Sequence, residues 1–75
     1  MVEKAFIKKE CQRIGLNILL RRRELHLTQT KLAEISGISR TQISSMERGK
    51  TNFKLDALLS VSEALGVDYL DLLKY

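Results

Sequence analysis

The sequence has no proline and no tryptophan, one cysteine (Cys11), one histidine (His26), and only four aromatic residues, two Phe and two Tyr. Each scarcity excludes something. A lone thiol cannot form an intrachain disulfide, and it suits a reducing compartment. His26 with Cys11 matches no metal-ligand spacing, so no metal site is expected. Scattered aromatics argue against gripping single strands by base stacking. The longest apolar stretch, residues 14–20, contains Asn17 and falls far short of the ~20 residues a membrane span needs. The first ten residues hold Glu3, Lys4, Lys8, Lys9 and Glu10 and lack the apolar centre of a signal peptide. A soluble, cytoplasmic chain with no membrane partner is the expectation. No glycine-rich phosphate loop, carboxylate pair or Ser-His-acid set is present, so neither an enzyme nor a cofactor is expected.

Seventy-five residues make one domain, spanning 1–75, with a thin core. Charge is unevenly spread over it. Through residue 54 there are 12 Lys and Arg against 5 Asp and Glu, a balance of +7; residues 55–75 hold Lys74 against Asp56, Glu63, Asp68 and Asp71, a balance of −3. Such polarity suggests one face for a polyanion and another for a different contact.

No segment alternates at period two for long enough to make a strand, so the pattern is all-α. A first helix is expected over about 3–25, with Ile7, Cys11, Ile14, Ile18 and Leu25 on one stripe that Arg21 interrupts. Arg21 either snorkels from the core edge or points at the polyanion. A second helix follows Thr28, a suitable N-cap, with Leu32 and Ile35 inward, and stops at Gly37. A third begins at Ser39, where Ser39 and Gln42 form an S-x-x-Q capping box, and stops at Gly49. A fourth covers about 55–65, and a short fifth is capped by Asp68 and carries Leu70, Leu72 and Leu73.

The informative segment is Thr28 to Lys50, TQTKLAEISGISRTQISSMERGK. Ser36-Gly37-Ile38-Ser39 makes a tight turn between two short helices, Ala33 permits close approach, and Ile43 with Met46 anchor the second helix. That leaves Arg40, Thr41, Ser44, Ser45 and Arg48 on one polar face. An arginine there can donate two hydrogen bonds to guanine, and hydroxyls can meet base edges, thymine methyls or phosphates. Gln42 either joins them or only closes the capping box. Lys31, Arg48, Lys50 and Lys54 could neutralise phosphates.

These residues, with Leu27-Thr28-Gln29, Met46-Glu47-Arg48-Gly49-Lys50, Leu58-Leu59 and Ala64-Leu65-Gly66-Val67, resemble the lambda-repressor/Cro-type, or Xre, helix-turn-helix family. The likeness runs over about residues 14–73. It implies a five-helix lambda-repressor-like domain whose third helix enters the major groove of double-stranded DNA. It places Gln29 at a phosphate, where it would also brace a base-reading side chain, Arg40, Thr41 and Ser45 at bases, and Arg48 and Lys50 on the backbone. It also pairs Arg22 with Glu47. Ser39, Gln42 and Ser44 complete the candidate DNA-binding set. His26 departs from the pattern, standing where many relatives have the glycine that ends helix 1, and Arg21 stands where many are apolar.

The implied function is a sequence-specific transcription regulator, with repression or activation left open. Bound upstream of a promoter, acids such as Glu34 or Glu47 would be available to RNA polymerase. A single recognition helix covers too few base pairs for useful specificity, so a homodimer on a palindromic operator is expected. Its interface is assigned to Tyr69, Leu70, Leu72, Leu73 and Tyr75 with the end of helix 4. Phe6, Leu16, Leu19 and Leu20 form a second apolar set, for packing under helix 5 or against a partner. The competing reading is a protein-interaction module of the same fold, such as an antitoxin or adaptor; the expectation counts against it the lack of a tail after helix 5.

Overall fold

The computed structural model describes residues 3–50 and 53–74, and among these there are five α-helices: α1 Lys4–Glu24, α2 Gln29–Ser36, α3 Arg40–Glu47, α4 Leu55–Ala64 and α5 Tyr69–Leu73. Helix α1 packs on α3 and α5, α2 on α3 and α4, and α4 on α5. Ile18, Leu32, Ile43, Val61 and Leu65 are fully buried at the centre, with Met46, Ala57, Leu58 and Leu72 around them.

The apolar stripe of α1 is buried only over its middle. Ile18 is in the core and Ile14 packs against it, while Ile7 and Leu25 are exposed because both ends of α1 run past the other helices. Arg21 interrupts the stripe for a physical reason: its Nε donates to the Leu65 carbonyl at 3.2 Å. The last carbonyls of α4 lack helical partners, and a cation there both satisfies one and complements the helix dipole.

Three expectations are corrected by the packing. Ile35 is exposed, not inward: on α2 it lies three residues, hence about 60° round the helix, from fully buried Leu32. Leu72 is 3% exposed and belongs to the protomer's own core, so it cannot serve a partner. Leu73 is half-buried against the same core. Of the proposed interface, Tyr69 and Leu70 remain exposed, and Tyr75 lies outside the described residues. Of the second apolar set, Phe6, Leu16 and Leu20 are exposed and Leu19 is half-buried.

Helix α1 ends without a glycine. His26 takes φ 58°, and the turn closes with His26 N–H donating to the Arg23 carbonyl at 3.0 Å and Leu27 N–H to that of Arg22 at 3.1 Å. This is the Schellman arrangement, which usually places glycine where His26 stands. The left-handed backbone costs a side-chain-bearing residue about 1–2 kcal/mol, and glycine's greater freedom when unfolded takes back about 0.5–1. His26→Gly is therefore expected to stabilise the fold by roughly 0.5–1 kcal/mol, raising the melting midpoint by about 3–6 °C. An unchanged or lower midpoint would show the imidazole making a contact worth the strain.

Candidate nucleic-acid interface

The site is built from local rules. Thr28 Oγ1 accepts from Lys31 N–H at 3.0 Å and starts α2. Gly37, at φ 76°, ends it, with its N–H on the Ala33 carbonyl at 2.9 Å. Such a φ is open to glycine without steric penalty. Ser36 Oγ then accepts from Ile38 N–H at 3.2 Å, and Ser39 Oγ accepts from Gln42 N–H at 3.1 Å, opening α3. The last three of these short-range bonds shape the turn between the two helices before any long-range contact is counted.

Ile43 and Met46 are buried and hold the inner face of α3. On its outer side Arg40, Thr41 and Gln42 are exposed, Ser44 and Ser45 are half-buried, and Arg48 and Lys50 are exposed just beyond. Ser39 is exposed, but its hydroxyl is engaged as the cap. Arg48 leans back along the helix, its Nε on the Ser44 carbonyl at a long 3.4 Å.

The end of α3 is fastened by charge. Arg22 of α1 meets Glu47 in a two-pronged pair, Nε to Oε2 at 2.6 Å and Nη2 to Oε1 at 3.0 Å. Its Nη1 donates to the Leu27 carbonyl at 2.8 Å. The Glu47 side chain is only 4% exposed and that of Arg22 11%. The hydrogen bond to Glu47 raises the guanidinium above its ordinary pKa, outweighing the opposing effect of burial, and the carboxylate's charge adds to the rise. A raised cation contributes its full stabilisation below the ordinary arginine value and loses it only at more alkaline pH, so this group should not make stability pH-dependent near neutrality.

Family likeness puts Gln29 at a phosphate; in the structure its side-chain nitrogen donates to Glu47 Oε1 at 2.9 Å. It thereby joins α2 to the α1–α3 pair. No sequence signal marks that contact, since the partners are 18 residues apart and either could have faced solvent. Burial also removes Glu47 as a surface acid for polymerase; Glu34, beside Lys31 at 3.5 Å, is exposed.

Glycines let α1 and α3 approach this closely. A Cβ on Gly15 would overlap the Met46 carbonyl oxygen and stand 2.9 Å from that of Glu47, and one on Gly49 would stand 2.7 Å from the Gln12 nitrogen. Among the described residues no group of three or more His, Cys, Asp or Glu could hold a metal ion, and no helix is long and apolar enough to cross a membrane.

Two short helices about a glycine turn, the second buried on one side and presenting cations and hydroxyls on the other, define a helix-turn-helix DNA-binding domain. The helix-turn-helix family model HTH_3 matches residues 18–72, and the chain belongs to that family, the Xre/Cro-C1 type of DNA-binding transcriptional regulators, which are not enzymes. It is 39% identical over 59 residues to the uncharacterized HTH-type transcriptional regulator y4dJ of Sinorhizobium fredii, covering 79% of this chain and 77% of that one. It is 44% identical over 50 residues to the control protein C.BamHI of Bacillus amyloliquefaciens, covering 67% and 62% respectively. Among solved structures it resembles the restriction-modification controller protein C.AhdI from Aeromonas hydrophila, with a TM-score of 0.82 at 28% identity over 85% of this chain and 97% of that one.

Proposed function

We propose that this regulator reads a palindromic operator as a twofold dimer, with α3 of each subunit in the major groove. The observation that carries the reading is the exposure of Arg40 and Thr41 at the start of a helix whose opposite face is locked by Ile43 and Met46. A rigid helix with exposed donors on its outer side suits base recognition, because little backbone freedom remains to be lost on binding. Arg40, Thr41 and Ser45 are assigned to base edges. Arg48, Lys50 and the amides at the start of α2 are assigned to phosphates.

The dimer surface is assigned to α4 and α5. Leu55 and Leu59 lie one turn apart on α4, Tyr69 and Leu70 on the adjoining α5, and all four are exposed. These helices also carry the acidic end of the chain, which would stay clear of DNA. Two such subunits place their recognition helices about 34 Å apart, one duplex turn. The named relatives are a transcriptional regulator, a control protein and a restriction-modification controller protein, and regulation of transcription is the reading that suits all three.

Titration against a duplex selected from a random library, with a scrambled duplex alongside, tests this. Arg40→Ala is expected to lose about 1–3 kcal/mol of specific affinity, roughly 5- to 150-fold, with little change on the scrambled duplex. Sedimentation of the same mixtures should show two chains per duplex. Equal affinity for all sequences, unaltered by Arg40→Ala, would turn the reading toward a protein partner, and a single bound chain at saturation would remove the dimer.

A further inference from the structure

Helix α1 has 21 residues, about 31 Å at 1.5 Å each, against a longest molecular dimension of 37 Å. Its first turns run past the core, and residues 3–9 are all exposed. They also precede the segment matched by the family, residues 18–72, so family likeness supplies no role for them. Lys4, Ile7, Lys8, Cys11 and Gly15 recur at steps of three and four and share one face of the helix. At Gly15 that face meets the end of α3, and at Gln12 it meets the turn at Gly49.

Before Gln12 the face is no longer covered by α3, and a groove of about 800 Å³ opens. Lys4 and Lys8 line one wall, Arg48 and Lys50 the other, and Ile7 and Cys11 lie between. Among the described residues the lining holds four cations and no carboxylate. Its occupant should be a polyanion, and one wall is already part of the backbone contact assigned to Arg48 and Lys50.

We propose that this groove seats the phosphate backbone of the duplex beside the base-read segment, with Lys4 and Lys8 neutralising phosphates that the helix-turn-helix itself does not reach. The proposal rests on the DNA-binding reading above. The apolar strip between the walls suits the sugar faces between phosphates, and the long lysine stems can lie along it while their ammonium groups reach outward. Because both lysines stand on an exposed, already formed helix, they can be removed without opening the core.

The test is the salt dependence of binding to a mixed-sequence duplex of about 30 base pairs, between about 50 and 200 mM salt. Each neutralised phosphate contributes about −0.9 to the slope of log affinity against log salt. Lys4→Ala/Lys8→Ala is expected to flatten that slope by about 1.8, so that its loss of affinity is about tenfold larger at about 50 than at about 200 mM salt, with an unchanged melting midpoint. Lys74→Ala, a charge outside the groove paired with Asp71 at 3.2 Å, should leave the slope as it is. A double variant with the wild-type slope would overturn the proposal while leaving the helix-turn-helix reading intact. Wild-type protein showing no salt-dependent binding to any duplex would overturn both.

Discussion

Replacing Glu47 by alanine is expected to remove about 3–5 kcal/mol of folding stability. A 75-residue domain has only about 4–11 kcal/mol in total, so the melting midpoint should fall by roughly 15–30 °C. The size follows from burial. The Arg22 side chain is 11% exposed, and without its carboxylate it would keep the desolvation penalty and lose two short hydrogen bonds. Gln29 would lose its acceptor as well. The double replacement Arg22→Met/Glu47→Ala should cost less than Glu47→Ala and Arg22→Met added together, because no orphaned charge remains. Thermal melts of the four proteins check this; a loss under about 5 °C for Glu47→Ala would mean that water reaches the pair.

The same pair matters for binding. Glu47 is the last residue of α3, and an unpaired carboxylate there would oppose the approach of a polyanion. Arg22 cancels that charge and fastens α3 to α1, while Gln29 fastens it to the start of α2. Both ends of the presented helix are thus fixed, one by the Ser39 cap and the other by this three-residue cluster. Arg22→Ala should therefore weaken DNA binding more than its loss of folded protein accounts for.

What was legible in the sequence was what is decided locally. Thr28, Gly37 and Ser39 act within three or four residues of themselves, and the structure places each at the helix end its chemistry favours. Ile43 and Met46, three residues apart, fix which face of α3 is inward. The Arg22–Glu47 pair was named only through family likeness, since nothing local joins residues 25 apart. Phase failed where apolar residues were dense and the helix short. In Tyr69–Leu73 four of five positions are apolar, so no periodicity singles out Leu72 as the core residue and Tyr69 and Leu70 as the surface. Ile35 misled for the related reason that an eight-residue helix buries a narrow strip, here centred on Leu32. Arg21 could not be placed because its partner is a backbone carbonyl 44 residues away, and carbonyls carry no sequence signature.

Gly15 is the most informative of these silent positions, because a rule read from sequence gives the wrong sign for it. In the middle of a 21-residue helix, glycine to alanine should stabilise by about 1 kcal/mol through helix propensity. The structure predicts the reverse. The new Cβ would overlap the Met46 carbonyl oxygen, which also accepts the Gly49 N–H at 3.0 Å and so helps close the end of α3. The obstacle is backbone on a neighbouring helix, which no side-chain rotation relieves. Either that turn opens, or α1 and α3 separate and pull Arg22 from Glu47. Overpacking against so rigid a neighbour lies at or above the top of the usual 1–3 kcal/mol range, so Gly15→Ala should destabilise by about 3 kcal/mol and lower the midpoint by roughly 12–24 °C. Lys9→Ala, an exposed change in the same helix, should leave it within about 3 °C. Held well below its midpoint, the folded Gly15→Ala protein should also bind duplex DNA less tightly, because Arg48 and Lys50 follow directly from the turn that has to move. A midpoint at or above wild type would show that the two helices do not meet at Gly15, and the attachment of α3 to α1 would have to be redrawn.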